Sequence, residues 1–158
     1  MIEYNDIIKA ATMVLAKKFP NIPVYASETI EGYKPSCFFV ELLPIETVYE
    51  TLNIAQTTLT LVISYFSETN NGIENRNMIM QIKRAFGLKL QVGKRHLTLE
   101  KSTSEVVGDV DLDKRVFHTG FDITYKEFTD QLEEKCEVAR ELQQRITVEN
   151  SEKRSVKE

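Results

Sequence analysis

The order in which the hydrophobic period changes along the chain constrains its fold more than any other feature of the sequence. Apolar residues recur at helical spacing near the N-terminus and alternate with polar residues between 58 and 65. Helical spacing returns after residue 72, alternation follows from 88 to 125, and a last helical stretch begins at 128. This order of helix, strands, helix, strands and helix predicts an α+β fold. We expect a mainly antiparallel β-sheet flanked by two amphipathic helices, plus a C-terminal helix.

The first helix is predicted over residues 5–18, with Asn5 or Asp6 as its cap. Pro20 and Pro23 end it, because proline lacks the amide donor and clashes with the preceding turn. Its apolar stripe comprises Ile7, Ile8, Ala11, Val14, Leu15 and Phe19.

A long hairpin is predicted next. The segment Cys37–Leu43 is aromatic and apolar, and Pro44 indicates an edge position or a bulge. The following strand places its apolar residues on one face: Leu59, Leu61, Ile63 and Tyr65. Residues Glu46–Asn53 between the two are too many for a tight turn unless the strands extend into them. We therefore expect a long hairpin whose tip projects.

The second half of the domain repeats the helix-then-strand pattern. A helix is predicted to end at Gly87, with an apolar stripe of Ile73, Met78, Ile79, Ile82, Ala85 and Phe86. Short strands 88–92 and 95–100 are joined by the two-residue turn Gly93-Lys94. Strands 105–112 and 115–125 are predicted to form another hairpin around Asp113-Lys114.

The last of these strands has two distinct faces. Phe117, Phe121, Ile123 and Tyr125 share one face, and His118, Gly120, Asp122 and Thr124 share the other.

The C-terminal region carries a narrow apolar stripe formed by Phe128, Leu132, Cys136, Ala139, Leu142 and Ile146. The sequence thus divides into a domain at 1–126, an amphipathic helix at 127–148 and a disordered tail at 149–158. The helix either packs on its own sheet or, with the hairpin tip, reaches neighbouring copies. For the second case the candidate interface residues are Leu132, Cys136, Ala139, Leu142, Ile146, Glu46, Thr47 and Tyr49.

Composition excludes several classes of protein. The chain has 158 residues, of which 42% are hydrophobic, and a net charge of −4. One domain of this length can form a stable hydrophobic core without disulfides or metals. The excess of acidic residues argues against electrostatic binding of nucleic acid over the whole surface. Its N-terminus does not predict a secretory signal, and no stretch predicts a membrane span. Cys37 and Cys136 are interpreted as apolar fillers in a reducing cytoplasm.

No catalytic, cofactor or metal site is predicted, because phosphate-binding, dinucleotide, zincin and nucleophile-elbow motifs are all missing. A pair of Cys37 with His118 is conceivable, but a buried thiol and a solvated imidazole are favoured. The segment 109–113 copies the start of an EF-hand loop, yet Lys114 and Gly120 replace the Gly and Glu that the loop needs.

A modest basic cluster comprises Lys83, Arg84, Lys89, Lys94 and Arg95. It could face DNA or an acidic partner, although a solvated surface is the usual explanation.

Several segments carry a resemblance to a known family. They are residues 4–10 (YNDIIKA), 19–25 (FPNIPVY), 32–40 (GYKPSCFFV), 75–86 and 121–125 (FDITY). Together they resemble the phage tail terminator family, in the version found in contractile-tailed phages, prophages and phage-tail-like bacteriocins of Gram-positive bacteria. The likeness spans about residues 1–126 and rests on packing and turn patterns.

The resemblance implies a structural virion protein that forms a hexameric ring on the head-proximal end of the tail tube. Such a ring stops polymerisation of the tube and sheath and offers a surface to neck and head-tail connector proteins. It implies no cofactor, no enzymatic activity and no membrane contact, with DNA only in passage through the channel. The location would be the virion tail, assembled in the host bacterial cytoplasm. Two alternatives stay open: another neck or tail-completion protein, and a small ligand-binding domain or enzyme that uses the His118 face.

Overall fold

A computed structural model describes residues 2–26, 34, 36–68, 71–107 and 116–129. In these ranges the chain forms two helices and six strands. The helices are α1 (Tyr4–Lys18) and α2 (Gly72–Phe86). The strands are β1 (Val24–Ala26), β2 (Cys37–Thr51), β3 (Ile54–Phe66), β4 (Lys89–Val92), β5 (Arg95–Val107) and β6 (Val116–Phe128).

The strands form one sheet in the order β1-β2-β3-β6-β5-β4. β1 runs parallel to β2, whereas β4, β5 and β6 pair in antiparallel fashion. This mainly antiparallel sheet with two helices confirms the predicted α+β class. Of the described residues, those within 1–47 and 57–125 form one compact unit, and those within 48–56 and 126–129 form another.

Helix α1 matches its prediction except at its start. Its N-cap is Glu3, which makes no side-chain capping hydrogen bond, so the expected cap at Asn5 or Asp6 is wrong. Both residues lie inside the first turn, where a carboxylate still interacts favourably with the helix dipole. The stripe faces inward as predicted: Ile7, Ala11 and Leu15 are fully buried.

Helix α2 is capped at both ends by residues suited to the task. The Asn71 side chain accepts a hydrogen bond from the Ile73 amide at 3.1 Å, and Gly87 ends the helix at a φ of 60°. Ile82 and Phe86 are buried as expected, but Ile73 is 71% exposed. The prediction for Ile73 is wrong because its position in the first turn lies beyond the part of the stripe that the core covers.

The first unit has one hydrophobic core between the sheet and the helices. The residues predicted to face inward on β3 and β6 are buried: Leu59, Leu61, Ile63, Tyr65, Phe117, Phe121, Ile123 and Tyr125. Ile8, Val14, Met78 and Ile79 from the helices pack against the same cluster. Full burial of one such side chain contributes about 1.5–3 kcal/mol, so this core dominates the stability of the unit.

Strand β5 corrects the predicted pattern. The sequence suggested separate strands at 95–100 and 105–112, whereas one strand runs through both from Arg95 to Val107. Its pairing with β6 shifts register between Leu99 and Lys101, and such a bulge restores pairing after the alternation breaks. The turn at Gly93-Lys94 is confirmed by the pairing of Val92 with Arg95. The predicted turn at Asp113-Lys114 lies outside the described residues.

Strand β6 continues through Phe128. The first two positions of the predicted C-terminal helix, Glu127 and Phe128, are therefore strand, and Phe128 is 78% exposed. The rest of that predicted helix and the predicted tail lie outside the described residues.

Candidate functional site

The long hairpin is present and extends further than its apolar pattern suggested. β2 and β3 run up to a two-residue turn at Leu52-Asn53, so the strands occupy the segment that is too long for a tight turn. Pro44 lies within β2, beyond the three residues Phe38–Val40 that pair with β1. This position agrees with the predicted edge location, because an edge strand tolerates a residue without an amide donor.

Residues 43–47 of β2, which belong to the first unit, are exposed and partly apolar. Leu43 and Ile45 are 42% and 61% exposed, and the predicted interface residues Glu46 and Thr47 are exposed beside them. The hydroxyls of Thr47 and Thr57 lie 3.3 Å apart, which ties the two strands together at this level. A strand that shows both apolar and polar side chains to solvent offers a contact surface.

In the second unit, the hairpin tip is fixed to the end of β6. Lys126 Nζ contacts both carboxylate oxygens of Glu50, at 2.6 and 2.8 Å. The Thr129 amide donates to the carbonyl of Asn53 at 2.9 Å, and the Thr129 hydroxyl donates to the carbonyl of Leu52 at 2.8 Å. These bonds hold the backbone of the turn in place.

The same tip leaves its large side chains uncovered. Tyr49 and Leu52 are 63% and 65% exposed, and Val48 is also exposed. Aromatic side chains on a fixed backbone lose little conformational entropy on binding. The tip thus combines a fixed backbone with exposed large side chains, of which the predicted residue Tyr49 is the aromatic one.

The opposite face of the sheet in the first unit is polar. Thr60 Oγ1 donates to Asp122 Oδ1 at 2.8 Å, and Thr124 Oγ1 donates to Glu100 Oε2 at 3.2 Å. Asp122 and Thr124 thus lie on the outward face that the alternation predicted. Hydrogen bonding across strands satisfies these groups, as partly buried polar groups require.

His118 on this face has a serine as its neighbour. Its Nδ1 lies 2.6 Å from Ser64 Oγ, and Ser64 is buried. Sequence analysis missed Ser64, since nothing in the sequence reveals that β3 and β6 are adjacent. A serine beside an imidazole is the first element of a nucleophile–base pair, but catalysis also needs an orienting group and an oxyanion-binding site.

Cys37, the other residue weighed for catalysis, is a buried free thiol. Burial raises the pKa of this thiol above its ordinary value, which lowers its nucleophilicity near neutral pH. The interpretation of Cys37 as an apolar filler is confirmed. Among the residues that the structure describes, no group of three or more His, Cys, Asp or Glu could hold a metal ion. Neither described helix is long and apolar enough to cross a membrane.

A groove of about 920 Å³ lies between α1 and the turn that joins β4 to β5. Lys94 and Arg95 of the predicted basic cluster line it, together with Lys9 and Lys17 from α1. The sequence does not predict this arrangement. Lys94 and Arg95 lie near the rest of the predicted cluster in sequence, whereas Lys9 and Lys17 belong to the distant helix α1.

The remaining predicted interface residues cannot be placed in this way. Leu132, Cys136, Ala139, Leu142 and Ile146 lie outside the described residues, as does the EF-hand-like segment 109–113.

The fold and these surfaces define a small α+β protein with an exposed hairpin, a polar sheet face and a basic groove. A family model described as phage tail terminator protein matches residues 6–149. The chain belongs to this phage tail terminator family and is a structural component of the phage tail. The match continues past residue 126 and includes the stripe from Leu132 to Ile146.

Comparison with curated proteins finds no match. Solved structures do match, one of them at 11% identity over 79% of this chain and 95% of that chain, with a TM-score of 0.45. The name of that protein states no function.

Proposed function

We propose that this chain assembles into a hexameric ring that caps the head-proximal end of the tail tube. The observation that carries the proposal is membership of the tail terminator family over residues 6–149, taken together with the exposed hairpin. The ring would stop polymerisation of the tube and sheath and would present a surface to neck and head-tail connector proteins. In this role the chain has no enzymatic activity and needs no cofactor.

Closure of a ring requires that each copy present two different surfaces that fit each other. The hairpin supplies candidates for one of them. Glu46 and Thr47 would contact a neighbouring subunit or the tube from the first unit, and Tyr49 from the second. Tyrosine is enriched among residues that dominate interface energies, which makes Tyr49 the strongest single candidate.

The charge of the chain suits a channel through which DNA passes. The net charge of −4 would repel the phosphate backbone and limit sticking. DNA is thus a passing occupant of the ring and not a ligand.

The segments that resemble the family suggest a particle of the contractile type, in a phage, prophage or phage-tail-like bacteriocin of Gram-positive bacteria. Assembly would take place in the host bacterial cytoplasm, and the finished location would be the virion tail.

Negative-stain microscopy of the purified protein, alone and mixed with polymerised tail tube, tests the proposal. We expect sixfold rings and added density at one end of each tube. A strictly monomeric protein at high concentration that leaves tube ends bare would overturn it.

A neck or tail-completion protein of the same particle is the nearest alternative, and the exposed hairpin would serve either role. The two roles differ in where the protein lies in the particle, because a neck protein would bind the head connector and leave bare tube ends uncapped. Immunogold labelling of complete particles, combined with the tube-end experiment, distinguishes the two.

The contact between Ser64 and His118 favours a second, weaker alternative, a small ligand-binding domain or enzyme. It requires that His118→Ala abolish a ligand-induced rise in melting temperature while ring assembly continues. Under the proposed function, His118→Ala leaves both assembly and tube capping intact.

A further inference from the structure

The groove beside α1 is lined by both apolar and basic side chains. Ile2, Ala10, Met13, Val14 and Val92 supply apolar surface, and Met13 is 71% exposed. A side chain of this size that is left open to water in a concave surface marks a place where apolar area can be buried.

The polar residues of the groove are predominantly cationic. Lys9, Lys17, Lys94 and Arg95 line it against one carboxylate, Asp6, which lies 3.8 Å from Lys9. Arg95 also lies over the ring of Tyr125, at 5.9 Å from its centroid, which orients its guanidinium. Such a groove fits an occupant that is both apolar and acidic, because its basic side chains repel cations and its apolar side chains gain little from contact with a phosphate backbone.

The chain itself contains a segment of this chemistry. Residues 130–146 carry the apolar stripe Leu132, Cys136, Ala139, Leu142 and Ile146. In the same stretch the acidic residues Asp130, Glu133, Glu134, Glu137 and Glu141 outnumber the basic residues Lys135, Arg140 and Arg145. The segment is therefore complementary to the groove in both polarity and charge.

The groove and the predicted C-terminal helix also have similar lengths. The groove follows α1 from Ile2 to Lys17, which corresponds to about 22 Å at the rise of an α-helix. A helix over 130–146, as the sequence predicts, would span about 26 Å. Two helices lying side by side pack with axes about 8–10 Å apart.

We infer that the C-terminal segment 130–146 of one copy binds the basic, apolar groove of a neighbouring copy. The inference rests on the proposed ring, since a closed ring needs complementary surfaces on each subunit, and it names one such pair. An arm that binds in this way would link each copy to the next.

The native cysteine in the stripe makes a direct test possible. Cys136 can form a disulfide with a cysteine placed in the groove if the two approach within about 7 Å between Cα atoms. The test variant is Met13→Cys, in the full-length protein under mild oxidation, analysed on a non-reducing gel. Cys37 is buried and stays out of the reaction.

We expect Met13→Cys to give a ladder of cross-linked multimers that collapses to monomer on reduction. The matched control is Met80→Cys, on α2 and 51% exposed, which lies outside the groove and should give no ladder. The double variant Met13→Cys with Cys136→Ser should also give none. If Met13→Cys reduces the melting temperature, Lys17→Cys replaces it.

Two results would overturn the inference. One is a Met13→Cys yield no higher than that of Met80→Cys. The other is a disulfide within single chains, seen as a faster monomer band, because the groove would then hold the segment of its own copy. If either occurs while the wild-type protein still forms rings on tube ends, only this inference fails. If rings are absent too, the proposed function fails.

A charge variant supplies an independent readout. Lys9→Glu with Lys17→Glu should weaken self-association about tenfold at low salt, because each change turns an attractive surface pair into a repulsive one. Sedimentation velocity measures this change, with Lys83→Glu and Arg84→Glu on α2 as the matched control. Unchanged association of the groove variant would contradict the inference.

Discussion

Thr119 is a polar residue in the middle of an apolar core. Its side chain is fully buried, and its hydroxyl lacks a hydrogen-bond partner in the described part of the chain. A buried hydroxyl without a partner costs about 1–3 kcal/mol. We predict that Thr119→Val, which keeps the shape and adds strand preference, raises the free energy of unfolding by about 1 kcal/mol.

Denaturant unfolding checks this prediction, with Thr119→Ser as the control. Serine keeps the unpartnered hydroxyl and removes a methyl group, so its free energy of unfolding should fall. A valine variant less stable than the wild type would show that the hydroxyl has a partner outside the described residues.

Cys37 gives a prediction about reactivity and pH. Burial raises its pKa above 9.0, so the folded state keeps a proton that the unfolded chain releases. The resulting contribution to stability is present below pH 9.0 and is lost as the pH rises through the pKa of the folded state. In a Cys136→Ser variant, we predict that a thiol reagent at pH 8 modifies Cys37 slowly in the native protein and rapidly in denaturant. Equal rates would mean that the thiol is accessible.

The two helices differ in how their first turns are held, and this difference can be measured. Asn71 accepts a hydrogen bond from the Ile73 amide, whereas Glu3 makes no such bond. We predict that Asn71→Ala lowers the free energy of unfolding by about 1 kcal/mol, while Glu3→Ala changes it little. Thermal unfolding of both variants checks the prediction, and equal losses would contradict it.

At the level of elements, the sequence predicts best where the hydrophobic period is unbroken. The helix at 4–18 and the inward faces of β3 and β6 follow from spacing alone, because burial on one side enforces the period. The single strand β5 was split in the prediction because the bulge near Glu100 reverses the alternation. The contact between Ser64 and His118 could not be predicted for a different reason. It requires that β3 and β6 be neighbours in the sheet, and strand order depends on topology and not on local pattern.

Among the elements, the hairpin tip gives the most direct test of the proposed assembly. Tyr49 is exposed, while Thr129 donates hydrogen bonds to the turn carbonyls of Leu52 and Asn53. We predict that Tyr49→Ser weakens ring formation or tube binding by about tenfold or more, as expected for an aromatic interface residue, and leaves the melting temperature unchanged. The control is Tyr4→Ser, at another exposed tyrosine. A drop in melting temperature without loss of assembly would make Tyr49 a structural residue.

For the whole molecule, the class of protein could be predicted from the sequence, but the basic groove could not. Packing and turn patterns point to the tail terminator family, and the match over 6–149 confirms it. The groove between Lys17 and Lys94 needs the packing of α1 against a distant turn, which no local pattern encodes. The candidate stripe from Leu132 to Ile146 stays a prediction.

The central claim is that the chain ends tube growth, and tube length measures this most directly. Tail tube protein is polymerised from preformed initiation complexes, the purified chain is added at a fixed time, and lengths are measured by electron microscopy. The account predicts that tubes stop at the length reached on addition, with density at the growing end. Tubes that continue to lengthen as they do without the protein would contradict it.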